Sequence, residues 1–223
     1  STCVIAYLSR KARKMLDEAG WTECTITVSN SLDEYLIQDL WMQDAKIDAF
    51  GVGERLITAK SEPVFGCVYK LVAVEDKDGN IVPKIKISEN VGKITTPHFK
   101  KLYRFYGRDT GKAIADYLTV YDETVDDSQN LEIFDPDATW KRKEVYHFEA
   151  RELLVPIYQK GKLVYKRPGI EEIKKYCAEQ VDTLWDEVKR FDNPHNYYVD
   201  LSQKLYDIKT ELLNEKNERY EKN

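Results

Sequence analysis

Two glycines separated by one residue, Gly51 and Gly53, directly follow an apolar segment that ends at Phe50. Because glycine has no Cβ, such a pair lets the backbone turn its N–H groups outward, and this geometry can bind phosphate. The same spacing also occurs in ordinary tight turns, and a lone Gly-x-Gly motif has a high false-positive rate. The residue types therefore allow two alternatives, a phosphate-binding turn and a turn without function.

The segments around the glycine pair predict a strand, helix, strand unit. Thr25–Val28 alternates like a strand, the polar run Ser29–Ser31 offers helix N-cap side chains, and apolar residues recur at helical spacing over Leu32–Leu40. A second strand is predicted over Ile47–Phe50. Ligands of parallel strand, helix, strand units gather at the carboxyl ends of the strands, so the residues that follow the two strands are expected to share one edge.

This stretch resembles the C-terminal half of nicotinate phosphoribosyltransferase of the bacterial type. The resemblance extends from about Ile5 to the C-terminus, and family members are about twice as long, so the chain is expected to be a part of such a protein. The segments that carry the resemblance are V-S-N-S-L-D-E-Y (Val28–Tyr35), F-G-V-G-E-R-L-I-T (Phe50–Thr58), P-V-F-G-C-V-Y-K-L-V (Pro63–Val72), K-I-K-I-S-E-N (Lys84–Asn90), I-F-D-P (Ile133–Pro136), A-R-E-L-L-V-P-I (Ala150–Ile157) and L-W-D-E-V-K-R-F-D-N-P-H (Leu184–His195).

The resemblance implies an activity in the salvage branch of NAD biosynthesis. The family joins nicotinic acid to 5-phosphoribosyl 1-diphosphate, giving nicotinate mononucleotide and diphosphate with ATP hydrolysis, which is transferase or ligase chemistry. It implies ATP and magnesium as cofactors of the parent enzyme, although no motif in this chain is expected to bind either. The implied partners are the two small-molecule substrates, together with a second copy of the chain in a homo-oligomer or the N-terminal half of the enzyme. The implied location is cytoplasmic.

The resemblance also implies a role for the glycine turn, which in the family holds the 5-phosphate of the phosphoribosyl group. Gly51 and Gly53 are expected to shape the turn, while Val52 and Glu54 contribute backbone N–H groups. The carboxylate of Glu54 is expected to face away from the phosphate, because two negative charges repel each other.

Three side chains near the turn have both a functional and a structural interpretation. Arg55 has a guanidinium that matches phosphate oxygens, and its alternative partners are Asp48 and Glu62. Ser29 and Asn30 offer donors to ribose or phosphate, and their alternative is to cap the following helix.

No catalytic residue is predicted in this chain. The phosphorylated histidine of the family belongs to the other half, and His98, His147 and His195 lie in no matching motif, so each is expected to be structural. The family's Asp-Ser-Gly-Asp motif, which precedes the segment equivalent to Ile5–Ser9, has no counterpart in Ser1–Val4. The alternative function is therefore a non-catalytic remnant that acts as an interaction or assembly module.

Composition excludes several other classes of protein. A chain of 223 residues with a formal net charge of −5 is not a default partner for nucleic acid or an acidic membrane. No apolar run approaches the roughly 18 residues of a membrane span. The cysteines, at positions 3, 24, 67 and 177, show no metal-binding spacing and no histidine nearby in sequence, so they are expected to be unpaired thiols and no metal site is predicted.

The predicted fold is α/β of the mixed α+β type. Residues 1–62 are expected to form part of an irregular phosphoribosyltransferase-type α/β barrel with the phosphate-binding turn. Residues 63–168 are expected to form a β-rich hairpin domain, and residues 169–223 a C-terminal helical segment. The strands predicted in the hairpin domain are Cys67–Val74, Ile81–Ile87, Lys101–Tyr106, Ala113–Tyr121, Lys143–Phe148, Leu153–Tyr158 and Leu163–Tyr165, and the main helices of the chain Ile5–Ala19, Ile170–Val188 and Ser202–Lys216.

Overall fold

The computed structural model describes residues 2–221, which form a first unit that ends at Val68 and a second unit that begins at Tyr69. Ser1 and residues 222–223, which the predicted first and third segments include, lie outside the described residues. The elements of the first unit are α1 (Thr2–Glu18), β1 (Thr27–Ser29), α2 (Glu34–Met42), β2 (Ala49–Gly51) and the short helix α3 (Glu54–Ile57).

The first unit contains the predicted strand, helix, strand arrangement. Strands β1 and β2 pair in parallel, with Val28 opposite Phe50 and Ser29 opposite Gly51. Helix α1 packs beside α2, and its Ala6 is buried together with Leu40 of α2. The predicted parallel unit is therefore confirmed.

The N-cap of α2 was predicted one turn too early. Asp33 caps the helix, since its Oδ1 accepts a hydrogen bond of 2.8 Å from the backbone N–H of Leu36. Ser29 belongs to β1 instead, and Asn30 and Ser31 have φ angles of 100° and 52°. These left-handed residues turn the chain away from the strand, so the helix cannot begin until Asp33.

The second unit is built around one mixed sheet. Its elements are β3 (Ala73–Glu75), β4 (Ile81–Pro83), a 3-10 turn (Val91–Lys93), β5 (Lys100–Gly107), β6 (Ala113–Val120), β7 (Leu131–Phe134), β8 (Arg142–Val145), β9 (Phe148–Glu152), β10 (Tyr158–Gln159), β11 (Lys162–Leu163), α4 (Ile170–Asp182), β12 (Val199–Leu201) and α5 (Gln203–Glu221). The central sheet has the order β12-β6-β5-β9, in which β12 runs parallel to β6 and the other neighbours are antiparallel.

One face of the central sheet is apolar and packs against the β7–β8 hairpin. Tyr103 and Phe105 of β5 lie opposite Tyr117 and Ala115 of β6, and all four side chains point to this face. The fully buried rings of Phe105 and Phe148 are 4.7 Å apart between centroids. This cluster, with Ile133 and Val145 from the hairpin, forms the core of the second unit.

The other face of the sheet carries a polar network. Arg104 donates two hydrogen bonds to the carboxylate of Asp116, at 2.7 and 2.8 Å, and Tyr197 donates its hydroxyl to the same carboxylate at 3.1 Å. Burial and the Asp116 charge raise the pKa of Tyr197. Helix α4 joins this face through Gln180, whose Oε1 accepts hydrogen bonds from Tyr106 and Arg151.

Several predicted strands are wrong or too long. Residues 64–72 have no regular secondary structure, and only Ala73–Glu75 of this region pairs, with Ile81–Pro83. The strand predicted over Lys143–Phe148 is broken at Tyr146 and His147, because His147 has a φ of 49°. Of the strand predicted over Leu153–Tyr158, only Tyr158 lies in a strand, as the first residue of the short β10.

The helix predicted over Ile170–Val188 ends early, at Asp182. The carbonyl of Thr183 accepts a hydrogen bond of 2.8 Å from the backbone N–H of Ala113, and Lys112 donates to the carbonyl of Asp182 at 2.7 Å. These contacts with the start of β6 use the last carbonyls of the helix, so the chain turns at this point. In residues 2–221 no helix has the length and apolarity that crossing a bilayer requires.

Candidate functional site

The sequence-predicted site begins where β1 and β2 end. Ser29 and Gly51 are partners in the parallel ladder, and Ser29 Oγ donates a hydrogen bond of 3.1 Å to the carbonyl of Gly51. A Cβ added to Gly51 would lie 2.9 Å from Ser29 Oγ and 3.1 Å from Ser29 Cβ. Glycine is therefore needed at position 51 for the close approach of the two strand ends.

Gly53 directly precedes helix α3. Its carbonyl accepts hydrogen bonds of 3.1 Å from the N–H groups of both Leu56 and Ile57, and no atom lies within 4 Å of a Cβ built on it. The N–H groups of Glu54 and Arg55, in the first turn of α3, have no acceptor within the helix. The turn thus offers backbone donors beside open space.

The side chains of Arg55 and Glu54 each have a neighbour of opposite charge. Arg55 forms an ion pair with Asp33, the residue that caps α2, so the alternative partners Asp48 and Glu62 are wrong. Asp48 instead accepts a hydrogen bond from the backbone N–H of Ile26. The exposed carboxylate of Glu54 lies 3.5 Å from Lys60 Nζ.

The structure therefore brings together some of the predicted site residues. Ser29 contacts Gly51, and Val52, Gly53 and Glu54 follow directly along the chain. Arg55 joins this group through α3 but has its own carboxylate partner. Asn30 directly follows β1 and accepts a hydrogen bond of 3.3 Å from the hydroxyl of Ser31. Phosphate binding by this group stays a prediction.

The three histidines lie apart from the glycine turn in sequence, and each has a neighbour in the fold. His98 Nδ1 lies 2.9 Å from the backbone N–H of Phe99, and its ring stacks on Tyr121. His147, predicted to lie in a strand, is in the bend between β8 and β9, 3.1 Å from a carboxylate oxygen of Asp109. His195 donates its backbone N–H to the carbonyl of Glu187.

The described part of the chain contains no group of three or more histidine, cysteine, aspartate and glutamate side chains placed to hold a metal ion. All four cysteines are free and exposed.

A second cluster of polar residues was missed from the sequence. It surrounds a cavity of about 290 Å³ in the second unit, here called the hairpin cavity, between the β7–β8 hairpin and strands β6 and β12. Its lining residues are Ile114, Ala115, Ile133, Phe134, Asp135, Lys141, Arg142, Lys143, Tyr198 and Asp200. The available signal was the strand V-D-L at Val199–Leu201, where an acid stands between two apolar residues.

Asp200 is only 3% exposed, and no described residue donates a hydrogen bond to its carboxylate. Burial, with the nearby charge of Asp135, raises the pKa of Asp200 to about 6, against a smaller opposing effect of Lys143. The surroundings of Asp200 therefore disfavour the ionised form of its carboxylate at neutral pH.

We expect Asp200→Asn to stabilise the chain above pH 6. Because the folded pKa lies above the unfolded one, folding takes up protons between about pH 4 and pH 6, and stability falls as the pH rises through that interval. One factor of ten in proton affinity is about 1.4 kcal/mol, so the amide variant should gain about 2–3 kcal/mol at pH 7.5 and almost nothing at pH 4. Urea unfolding of both proteins at the two pH values measures this difference. An equal difference at both pH values would contradict the assignment to Asp200.

Comparison with known proteins defines the class of the chain. Residues 99–209 match the family model described as the nicotinate phosphoribosyltransferase C-terminal domain. A nicotinate phosphoribosyltransferase of Bacillus subtilis is 45% identical over 97% of this chain and 44% of its own length. Nicotinate phosphoribosyltransferase 2 of Arabidopsis thaliana is 35% identical over 92% of this chain and 37% of its own length.

A solved structure supports the mixed α/β fold. The crystal structure of human nicotinic acid phosphoribosyltransferase superimposes with a TM-score of 0.65 at 22% identity, over 94% of this chain and 38% of that one. The chain thus belongs to the nicotinate phosphoribosyltransferase family and spans less than half the length of these relatives.

Proposed function

We propose that this chain supplies part of a nicotinate phosphoribosyltransferase and that its first unit holds the 5-phosphate of 5-phosphoribosyl 1-diphosphate. The observation that supports this most directly is the pairing of Ser29 with Gly51, since it puts the glycine turn at the carboxyl ends of two parallel strands. Nicotinic acid is the second substrate in this proposal, and ATP with magnesium belongs to the parent reaction. The reaction serves NAD salvage.

The turn fits an anion in three respects. The N–H groups of Glu54 and Arg55 begin a helix and lack intrahelical acceptors, which is where phosphates bind in many proteins. The space around Gly53 is open to a ligand. Asp33 uses part of the guanidinium of Arg55, but an arginine has five N–H donors, so others remain for a phosphate oxygen.

Holding the phosphate has a clear purpose in phosphoribosyl transfer. Positive charge develops at the anomeric carbon as diphosphate leaves, and the acceptor nitrogen has to be aligned with that carbon. A fixed 5-phosphate anchors one end of the ribose and so limits its motion. This anchoring is the role proposed for residues 51–55, with Ser29 and Asn30 at the neighbouring strand end.

We expect Gly53→Asp to weaken the binding of 5-phosphoribosyl 1-diphosphate at least tenfold without unfolding the chain. A carboxylate about 4 Å from a phosphate charge costs on the order of 1–4 kcal/mol, depending on solvent exposure. Calorimetric titration of the wild type and the variant measures the change, and circular dichroism checks folding. The matched control is Gly66→Asp, which adds the same charge at another open glycine of the first unit and should leave binding unchanged. If both variants bind as tightly as the wild type, the glycine turn is not part of the phosphate site.

The proposed activity is tested by product formation. The purified chain is supplied with nicotinic acid, 5-phosphoribosyl 1-diphosphate, ATP and magnesium, and nicotinate mononucleotide is followed by mass spectrometry. The same assay is repeated with an added N-terminal half of a relative. Product only in the mixture supports a contributing part, while product from the chain alone would put catalytic groups among residues assigned here to structure. No product in either assay, with no phosphoribosyl binding, would contradict the proposal.

A second candidate function, an interaction or assembly module, is favoured by one segment of the first unit. Phe65 is 99% exposed, and Val64 and Val68 beside it are also largely exposed. Exposed apolar groups in a row are typical of surfaces that bind another protein. The partner in this proposal is a second copy of the chain or the N-terminal half. Sedimentation at micromolar concentration tests self-association, and a monomer would exclude the homo-oligomer.

A further inference from the structure

We propose that the hairpin cavity binds a small zwitterion with an apolar body, of the α-amino-acid class. The ligand's ammonium group would contact Asp200, its carboxylate would contact Lys143, and its side chain would lie against the apolar wall. All the residues that line this site belong to the second unit.

The cavity has the size and lining of a small-molecule site. Its volume of about 290 Å³ is near the lower end of the range for ligand pockets, roughly 300–1,000 Å³. Ile114 and Ala115 of β6 line it together with Ile133 and Phe134 of the hairpin. These side chains form an apolar wall suited to an aliphatic or aromatic group.

Asp200 is the group that requires a cation. It lies opposite Tyr117 in the β12–β6 ladder, and because paired residues point to the same side of a sheet, its side chain is on the apolar face. A carboxylate buried among apolar groups needs a charge partner or several donors, and no described residue is within ion-pair distance of it. A ligand ammonium supplies both the charge and the N–H donors.

Lys143 is the basic group of the cavity that is free to bind an anion, since it is exposed and has no acidic partner among the described residues. Among the basic residues of the cavity, Lys141 lies 3.8 Å from Asp135 and Arg142 pairs with Glu132, whereas Lys143 has no ion pair among the described residues. Lys143 and Asp200 attract each other electrostatically without forming an ion pair. A ligand with both charges can occupy the gap between them.

Other ligand classes fit the cavity less well. A simple amine would satisfy Asp200 but would lie near the unpaired charge of Lys143. A metal ion would find two lining carboxylates, Asp135 and Asp200, and Asp135 is already engaged by Lys141 and by the backbone N–H of Asp137. Only the zwitterion satisfies the two unpaired charges together.

The test starts from the twenty standard L-amino acids, each added at millimolar concentration to the full chain at pH 7.5. Thermal shift identifies those that bind, and calorimetry gives their affinities. We expect saturable binding by one or more amino acids with apolar side chains. The corresponding deaminated acid and decarboxylated amine should each bind at least tenfold more weakly, because each lacks one of the two charges.

Two variants assign the charges. Asp200→Asn should weaken binding at least tenfold, and Lys143→Met severalfold, while the control Lys162→Met, on the β10–β11 hairpin outside the cavity lining, should leave affinity unchanged. Loss of fold does not explain a loss of binding in Asp200→Asn, since that variant is expected to be more stable. No saturable binding by any amino acid, or undiminished affinity of Asp200→Asn, would overturn the proposal. Asp200 would then be an inward-pointing charge that protects an edge strand from pairing with other chains.

Discussion

Arg104→Met is expected to lower the free energy of unfolding of the second unit by about 3–5 kcal/mol. The guanidinium and the Asp116 carboxylate form a bidentate pair whose side chains are only 22% and 11% exposed. Removing one partner leaves the other charge buried without compensation, and this is more costly than losing the attraction alone. The hydroxyl of Tyr197 also donates to Asp116, but one neutral donor cannot replace the guanidinium. Urea unfolding at pH 7.5 measures the loss.

Two further variants identify its cause. Lys204→Met removes a pair with Asp122 whose side chains are about half exposed and well solvated, and it should cost only a small fraction of the loss expected for Arg104→Met. The double variant Arg104→Met with Asp116→Leu should recover much of the stability, because no buried charge remains unpaired. A cost for Arg104→Met no larger than that of Lys204→Met would mean that water compensates Asp116.

Phe105→Ala is expected to destabilise the second unit by about 3–5 kcal/mol. The ring has no exposed surface, and it lies 4.7 Å from the Phe148 ring and 5.3 Å from the Tyr117 ring between centroids. Its removal takes away apolar burial and leaves a cavity between the sheet and the β7–β8 hairpin, where the rigid strands limit collapse. Thermal and urea unfolding both report the change.

The matched control for Phe105→Ala is the same substitution at Phe99, in the same unit. The Phe99 ring is 58% exposed and touches Tyr121 with a centroid distance of 5.4 Å. Its loss should cost about 1 kcal/mol, since one aromatic contact and partial burial are removed. Similar costs at both positions would show that the core around Phe105 repacks or that the exposed ring has an unexpected role.

The parts of the fold that sequence reasoning predicted are those with strong local patterns. Strands β5 and β6 were predicted almost to their observed ends, because each is rich in aromatic or aliphatic residues and the turn residues of segment 108–111 separate them. The segment 64–72 has strand-like residue types but no partner strand in the structure, and a strand needs a ladder to exist. Strand β12 was missed because three residues carry too little pattern and its pairing with β6 is remote in sequence.

The same distinction holds for the candidate sites. The approach of Ser29 to Gly51 followed from chain order, since consecutive parallel strands end at one edge. The pair of Arg55 with Asp33 did not follow, because it depends on where α2 begins. Asp200 could not be identified as buried, since its burial depends on the register of β12 against Tyr117.

Strand β12 lies far along the chain from its partner β6, and this affects how the second unit folds. Tyr197 and Asp116, which meet beside this strand, are 81 residues apart in sequence, whereas β5 and β6 form a local hairpin. Local pairs close before remote ones, so we expect an intermediate in which β6 has only one neighbour. The unpaired edge of β6 can then pair with a strand of another molecule. Val120 also remains exposed to solvent until Leu201 and Leu205 pack against it. Aggregation during refolding should therefore increase with protein concentration, even though β12 covers this edge of β6 in the native sheet.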